Sequence, residues 1–392
     1  MRKRILHIAY ACLLASVLGA CTDDSYRGYE INYEEYQMPL TVTVSVGNPY
    51  PDTKGTGPKD SLSHLAGNEI LVWAFNRDST NSMAFTRTPS DSIMCLVDGK
   101  SAIVDGVNYQ ARWESGTVYY PYREQSGQRY DFYAGFVDGA TILNTEHHKD
   151  SVVLVLDIDG SQDLMTSKAR LPQFKNNGGD KNYAFSYLSA QEGDDPIFSL
   201  RHHLVKIDLE VRPGITHGFT NEVTVAGAHI QSKTRARMTV AARDTLDMGV
   251  SFAPDSPVDW LHLTDPDGGE VTPLTLTTLE GLYGTPELEQ RQKEETRHLG
   301  GSFFVAPATG YLLDVDRISY NHEEPVYYEP FYNTVQLRSG EAFLPGNHYK
   351  VTMTVYGEYL IFMDVELVGW QNAGTIPIDT DKDADDEDNN LQ

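Results

Sequence analysis

Several histidines of this chain lie next to one another or next to acidic residues, so metal binding is the first chemistry to consider. His322–Glu323 begins like the helix of a zinc protease, but Val326 stands where the second histidine should be. His147–His148 and His202–His203 are adjacent pairs, and neighbouring residues on a strand point to opposite faces. Such a pair cannot bind one metal ion without distortion. We therefore predict no metal site and no cofactor. We interpret His203 as a hydrogen-bonded, partly buried histidine.

Two acidic segments suggest calcium binding, namely Asp157–Gly160 and the tail from Asp379 to Asp388. A calcium loop needs alternating oxygen ligands, a glycine at the turn and a bidentate carboxylate at its end. The first segment has too few ligands, and the tail has no glycine. We interpret residues 379–392 as a solvated, disordered terminus, with calcium binding as the alternative that the sequence leaves open.

No nucleophile of the chain has the neighbours that catalysis requires. The sequence contains neither a nucleophile elbow nor a phosphate-binding glycine loop. Cys95 lies in the apolar run Ile93–Val97, which is typical of a small core residue. A glycoside hydrolase would need two carboxylates at a defined separation, and no spacing in so acidic a chain singles out a pair. We predict that the protein is not an enzyme.

Cys21 is the cysteine with a recognisable chemical role. Arg2–Arg4 and the apolar stretch Ile5–Leu18 form a secretion signal, and the stretch is shorter than the ~20 apolar residues of a membrane span. It ends in Leu18–Cys21, which resembles a lipobox, where bacteria attach diacylglycerol to the thiol and cleave before it. We predict a lipoprotein signal peptide over residues 1–20 and an acylated, palmitate-type anchor on the new N-terminal cysteine. The alternative is an ordinary secretory signal in which this cysteine is incidental.

Charge and cysteine content limit the partners of the mature chain. The formal charge is 31 − 56 = −25, and removal of the three basic residues of the signal makes it −28. Because an acidic surface repels phosphate backbones, we predict no nucleic-acid partner.

Of the three cysteines, one leaves with the signal and one carries lipid, so no intrachain disulfide can form. Stability must come from buried apolar area.

Period-two alternation of apolar residues runs through both halves of the chain and predicts strands. The alternating apolar positions near the two ends of the mature chain are Leu40, Val42, Val44 and Val46 at the start, and Met363, Val365 and Leu367 at the end. Turn residues are frequent, and only the polar segment 286–298 looks helical, as a surface helix or loop insert. Many short strands without alternating helices favour an all-β protein built of β-sandwiches.

A polar, glycine-rich stretch over residues 173–196 is the predicted domain junction. The predicted organisation after the signal peptide is a lipidated tether (21–37), an N-terminal β-sandwich domain (38–195), a C-terminal β-sandwich domain (196–378) and the acidic tail (379–392).

Aromatic residues cluster in a proline-flanked segment, where Tyr327–Tyr328 and Phe331–Tyr332 stand close together. Exposed tyrosine rings can stack on a sugar ring. Packing on a strand face explains the same residues equally well. A surface glycan-binding lipoprotein, with Tyr327 and Tyr328 as the contact residues, is therefore the alternative function that the sequence leaves open.

The order of motifs along the chain resembles the fimbrillin family of the Bacteroidetes, whose members build type V pili. The motifs that carry this resemblance, after the lipobox, are Leu40–Val46 followed by Thr53–Gly55, Asn68–Phe75, Tyr119–Pro121, Tyr130–Ala134, Asp163–Met165, Phe198–His202, Pro345–Tyr349 and Gly369–Trp370. They span nearly the whole mature chain. The residues Thr22–Asp24 after the lipobox also resemble the surface-export signal of lipoproteins in that phylum.

The resemblance implies two tandem transthyretin-like (Greek-key) sandwich domains in a subunit of a surface pilus that serves cell adhesion. It also implies strand exchange with other pilus subunits, attachment to the cell outer membrane through lipid on Cys21, and host or bacterial surface ligands. In such pili an arginine-specific protease cuts ahead of the first core strand, and a neighbour's terminal strand fills the groove.

Arg27 is the candidate cut site that the resemblance implies, with Gly28 as the new N-terminus, and a plain tether arginine is the alternative. The donated strand would be Ile361–Leu367 or the segment just after it. The acidic tail past Ile378 departs from the family pattern, because its charge must stay outside an apolar groove. Shaft, tip and anchor roles all remain open at this point.

Overall fold

The computed structural model describes residues 37–46, 65–77, 94–121, 128–169, 185–243, 246–319, 326–327, 332–357 and 360–368. The described residues from Pro39 onward belong to one compact unit, and the description below concerns that unit. Almost all regular structure in the described ranges is β-strand, which confirms the predicted all-β class. No helix within these ranges has the length and apolar character to cross a bilayer.

The described strands are numbered in chain order. Those of the first half are β1 (Val42–Val46), β2 (Glu69–Asn76), β3 (Cys95–Val104), β4 (Gln110–Trp113), β5 (Tyr130–Phe136), β6 (Thr141–His147), β7 (Ser151–Asp157), β8 (Met165–Lys168) and β9 (Ile197–His202). Those of the second half are β10 (Val205–Pro213), β11 (Ile215–Thr216), β12 (Glu222–Lys233), β13 (Arg235–Ala242), β14 (Gly249–Ser251), β15 (Val258–His262), β16 (Leu274–Thr277), β17 (Leu279–Glu280), β18 (Arg297–Val305), β19 (Tyr311–Ser319), β20 (Val326–Tyr327), β21 (Asn333–Val335), β22 (His348–Gly357) and β23 (Leu360–Val368).

Two short helices accompany these strands, α1 (Tyr187–Gln191) and α2 (Pro286–Glu294). Helix α1 begins with a capping box, in which the side chains and backbones of Ser186 and Ser189 bond reciprocally. Helix α2 has proline in its first turn, as helix starts favour. It ends four residues before the end of the predicted helical segment 286–298, because the chain enters β18 at Arg297.

Seven strands form a closed sheet in the order β1-β4-β3-β2-β5-β8-β9. The ring closes where β1 pairs with β9 in parallel, and every other neighbouring pair in it is antiparallel. A second sheet, β14-β13-β7-β6, packs against it. Large aromatic residues of the closed sheet, including Trp73, Phe75 and Tyr133, share a buried core with Leu154 and Met238 of the second sheet.

Strands from both sides of the predicted junction belong to this first assembly. β9 follows residue 196 yet pairs with β1 and β8, and β13 pairs along its length with β7. The domain boundary between residues 195 and 196 stays a prediction. Because of these pairings, a division of the chain at that position would separate strands that are hydrogen-bonded to one another.

The second half of the chain builds a further pair of sheets around its own core. One sheet has the order β18-β10-β22-β23, and the other has the order β15-β12-β19-β20, with β16 on β12 and β21 on β19. Strand β10 alternates strictly between buried and half-buried positions, as the sequence pattern predicts. Its inward residues Ile207 and Leu209 lie in one apolar cluster with Ile230 of β12 and Val351 of β22.

Candidate strand-exchange site

Strand β1 is hydrogen-bonded along both of its edges. On one edge Val42 pairs with Ala111 of β4 in antiparallel orientation. On the other edge it runs parallel to β9, from Thr43 opposite Ile197 to Val46 opposite Leu200. This five-residue strand therefore fills the gap between two strands that would otherwise be the edges of an open sheet. We call this gap the β1 slot.

The apolar side chains predicted to face a groove are buried in the β1 slot. Leu40 is 2% exposed, and Val42 and Val44 are 0% exposed. Because each buried aliphatic side chain of this size stabilises a fold by about 1.5–3 kcal/mol, this short segment contributes strongly for its length. The side chain of Val46 lies outside the described residues, and only its backbone pairing is defined.

Hydrogen bonds also fix the residues that lead into β1. The amide of Leu40 donates to the carbonyl oxygen of Val118 at 2.8 Å, and the indole Nε1 of Trp113 donates to the carbonyl oxygen of Leu40 at 2.8 Å. Sequence reasoning did not select Trp113. Trp113 is the last residue of β4, and an indole at the end of a strand is common in core packing, so the sequence carries no signal for its hydrogen bond.

Strand β23 is the second element that strand exchange requires. Among the described residues it pairs with β22 alone, so its other edge has no strand partner there. Ile361 is buried in the second core, and Met363 and Val365 are partly buried against that core. Leu367 is 45% exposed, so the apolar face of β23 emerges from the core toward its C-terminal end.

A close contact between His348, the first residue of β22, and Asp208 of β10 links the two strands next to β23. The imidazole Nε2 of His348 lies 2.8 Å from the Oδ2 of Asp208, and the hydroxyl of Ser302 donates to Oδ1 at 2.5 Å. Burial raises the pKa of Asp208, but the hydrogen bond and charge of His348, aided by Ser302, outweigh burial and lower it to about 2. The ionised carboxylate is thus the stable form in the fold.

We expect Asp208→Asn to lower the free energy of unfolding by about 2 kcal/mol at pH 7. The folded pKa lies below the ordinary 3.8, so this contribution is present above pH 4 and disappears as pH falls toward 2. Urea denaturation of both proteins at pH 7 and pH 3 measures the effect. Glu210→Gln is the matched control, because Glu210 lies on the same strand with only a looser 3.5 Å pair to Lys350. Equal losses in the two variants would contradict the role of Asp208.

Several predicted site residues cannot be placed. Cys21, Arg27, Gly28 and Tyr328 lie outside the described residues, and so does the acidic tail. Tyr327 lies in β20 and is described only through its backbone pairing with Ile318 of β19. The structure therefore brings together the residues of the β1 slot, and it does not test the lipid site, the cut site or the tyrosine pair.

The described ranges also contain residues considered above for metal, thiol and histidine chemistry. No group of three or more His, Cys, Asp or Glu side chains there has the geometry of a metal site. Cys95 is buried, with its thiol directed at the carbonyl oxygen of Val97 at 3.5 Å, as predicted for a core residue. His203 is partly buried and its Nε2 lies 2.6 Å from the hydroxyl of Thr166, which confirms the hydrogen-bonded histidine.

Comparison with known proteins gives neither a matching family model nor a matching curated protein. Among solved structures, a candidate cell adhesion protein from Bacteroides uniformis is 15% identical, with a TM-score of 0.45, over 86% of this chain and 98% of its own. A fimbrial protein from Bacteroides vulgatus is 12% identical, with a TM-score of 0.41, over 85% and 99% of the two chains. The fimbrial anchor protein from Porphyromonas gingivalis is 11% identical, with a TM-score of 0.30, over 85% and 99%.

Proposed function

We propose that this protein is a structural or accessory subunit of a type V-like surface pilus, assembled by strand donation and serving cell adhesion. The observation that supports the proposal most directly is the β1 slot. A five-residue strand near the start of the mature chain is paired on both edges and carries fully buried valines. Such a strand can be replaced by another of the same pattern without altering the remaining sheet.

Removal of β1 leaves two kinds of unsatisfied surface. The facing edges of β4 and β9 lose their backbone partners, and an apolar channel is opened to water. Both are costly, because unpaired backbone groups and exposed apolar area each destabilise a fold. A strand from a neighbouring copy restores the backbone pairing and covers the apolar channel again. Its backbone hydrogen bonds supply affinity, and its alternate side chains supply selectivity.

Strand β23 supports the donor half of the proposal. Its alternate apolar residues, Ile361, Met363, Val365 and Leu367, repeat the period-two spacing of the four apolar residues at positions 40, 42, 44 and 46. It has one strand partner in the described part of the chain. The donor in this proposal is β23 or the segment that follows it, with the acidic tail remaining in solvent.

The remaining features of the proposal come from the start of the chain. Export as an outer-membrane lipoprotein rests on Cys21, and maturation rests on cleavage between Arg27 and Gly28. Arg27 precedes Leu40 by thirteen positions and is close to the lipid anchor. Protease access is therefore restricted, which favours an uncut anchor or accessory subunit over a shaft subunit. Two tandem transthyretin-like domains are the corresponding proposal for the fold.

Once the mature chain is released from the membrane, so that the anchor no longer restricts access, we expect limited digestion with an arginine-specific protease to release residues 21–27. The product should form oligomers that give ladders in SDS gels without boiling. Cleavage frees β1 from its anchor and allows a neighbouring copy to compete for the slot. N-terminal sequencing and unheated gels measure the two events. In Arg27→Ala the product beginning at Gly28 and the ladders should both be absent, while Arg77→Ala, which alters a residue beyond β2, should behave as the native chain.

Three further outcomes test the proposal. Surface labelling with a palmitate analogue should be lost in Cys21→Ala, because the thiol that carries the lipid is gone. Ladders of unchanged yield in Arg27→Ala would refute the cleavage step. Native protein found only inside the cell envelope would refute the pilus role. Glycan binding through Tyr327 and Tyr328 stays the untested alternative.

A further inference from the structure

Two aromatic rings stack on the outer face of the sheet that contains β12. Trp260 lies in β15 and Tyr332 lies immediately before β21, and their rings are 5.3 Å apart between centroids at an interplanar angle of 23°. β15 flanks β12 on one side and β21 flanks β19 on the other. Neighbouring strands are about 4.8 Å apart, so the two side chains must reach toward each other across two intervening strands.

The alternation of the strands shows which face the rings occupy. Leu261, Ile230 and Leu313 are aligned across three strands and are buried in the second core. Their sequence neighbours therefore point to the opposite face. The residues on this outer face are Trp260 and His262 of β15, His229 and Gln231 of β12, Leu312 and Asp314 of β19, and Thr334 of β21. We call this set, with Tyr332, the aromatic face.

The polar side chains of the aromatic face are partly ordered before any ligand binds. The Nε2 of His229 lies 2.8 Å from the Oδ2 of Asp316, and its ring meets that of His262 edge-on, with centroids 4.4 Å apart. An imidazole, an amide, a carboxylate and a hydroxyl thus lie beside an aromatic pair. Tyr332 is 58% exposed, so much of this residue is accessible to solvent.

We propose that the aromatic face binds a neutral polysaccharide. A pyranose ring has apolar C–H patches that stack on an aromatic face, and hydroxyl groups that both donate and accept hydrogen bonds. The aromatic face offers both kinds of contact within one area, which is the combination that specific ligand sites use. This site is separate from the β1 slot, so the inference does not depend on strand donation.

Charge restricts the class of polysaccharide. The chain has a formal charge of −25, and the aromatic face itself carries Asp314 with Asp316 beside it. Acidic sugars would meet repulsion from both sources. Uncharged hexose polymers avoid this cost and can use the carboxylates as hydrogen-bond acceptors.

The experiment compares immobilised mannan, β-glucan and galactan with polygalacturonate, using the full mature chain and affinity electrophoresis. We expect retardation by at least one neutral polymer and none by polygalacturonate. In Tyr332→Ala the dissociation constant should rise about tenfold or more, because stacking supplies much of the affinity. Tyr283→Ala is the matched control and should bind as the native chain, because Tyr283 is 78% exposed and lies on another part of the surface.

A purely structural role of the ring pair makes a different set of predictions. If the pair only holds the segment before β21 on the sheet, Trp260→Ala lowers the melting temperature and no polysaccharide binds. Trp260→Phe guards against a folding defect, because it keeps a stacked ring and should retain binding within about threefold. Absence of binding to every neutral polymer, binding that survives Tyr332→Ala, or binding to polygalacturonate alone would each overturn the proposal.

Discussion

Val44→Asp should lower the free energy of unfolding by about 4 kcal/mol, the largest effect of any single substitution proposed for this chain. Val44 is 0% exposed in the β1 slot, so the substitution removes about 2 kcal/mol of apolar burial. It also places a carboxylate at a position that is fully buried, and a buried charge is strongly destabilising. Urea denaturation at pH 7, followed by circular dichroism, measures the loss.

Thr43→Asp is the matched control, because Thr43 is the adjacent residue of the same strand and points to the other face. Thr43 is half-buried, so a carboxylate there keeps contact with water and its cost should stay well below that of Val44→Asp. A synthetic peptide of residues 39–46 should bind Val44→Asp and restore part of its stability, because the slot is then occupied only weakly by its own strand. Equal stability of the two variants, or peptide binding that is no better for Val44→Asp than for the native chain, would contradict a replaceable strand.

The second large effect is a loss of stability in mild acid that depends on His203. Burial lowers the pKa of this imidazole to about 4, opposed by the charge of Asp163 and aided by His202 and Arg201. The unfolded chain, with a pKa near 6.5, binds the proton more tightly than the folded chain does. With respect to this histidine, the free energy of unfolding therefore has its full value above pH 6.5. It decreases as pH falls from 6.5 to 4, because the unfolded chain takes up the proton first. We expect a loss on the order of 3 kcal/mol across that window.

His203→Gln isolates this contribution, because glutamine can bond the hydroxyl of Thr166 but does not titrate. Its stability should change less than that of the native chain between pH 7.5 and pH 4. The substitution of an exposed histidine, His148→Gln, should leave the native pH dependence intact, since His148 makes only an exposed pair with Glu146. Parallel pH profiles for the native chain and His203→Gln would refute the assignment.

The sequence predicted the faces of strands better than their partners. Alternation at positions 205, 207, 209 and 211 identified the buried face of β10, and the same pattern identified the buried face of β1. Alternation records which side of a strand meets the core, and it is silent on which strand lies alongside. The parallel pairing of β1 with β9 joins residues about 150 positions apart, so local pattern could not reveal it.

The same limit applies to the junction and to the aromatic face. The polar stretch before residue 196 has the composition of a linker, yet β13 pairs with β7 from before that stretch. The tyrosine segment drew attention to Tyr332, but its partner Trp260 is 72 positions earlier in a strand with ordinary composition. Contacts of this kind arise from the way sheets stack, and a single sequence carries no local signal for them.

The β1 slot also has a sense of direction, because one wall runs parallel to β1 and the other runs antiparallel. Hydrogen bonds are evenly spaced and slanted in a parallel ladder, and they alternate in spacing in an antiparallel one. A segment threaded backwards would exchange the two kinds of pairing, and it would have to form a different hydrogen-bond ladder on each wall. If successive copies fill one another's slots, each must enter in the same sense. Such head-to-tail contacts form a ring where the rotation between copies closes and an open filament where it does not. An open filament built in this way has two chemically distinct ends and lengthens by adding copies in one orientation.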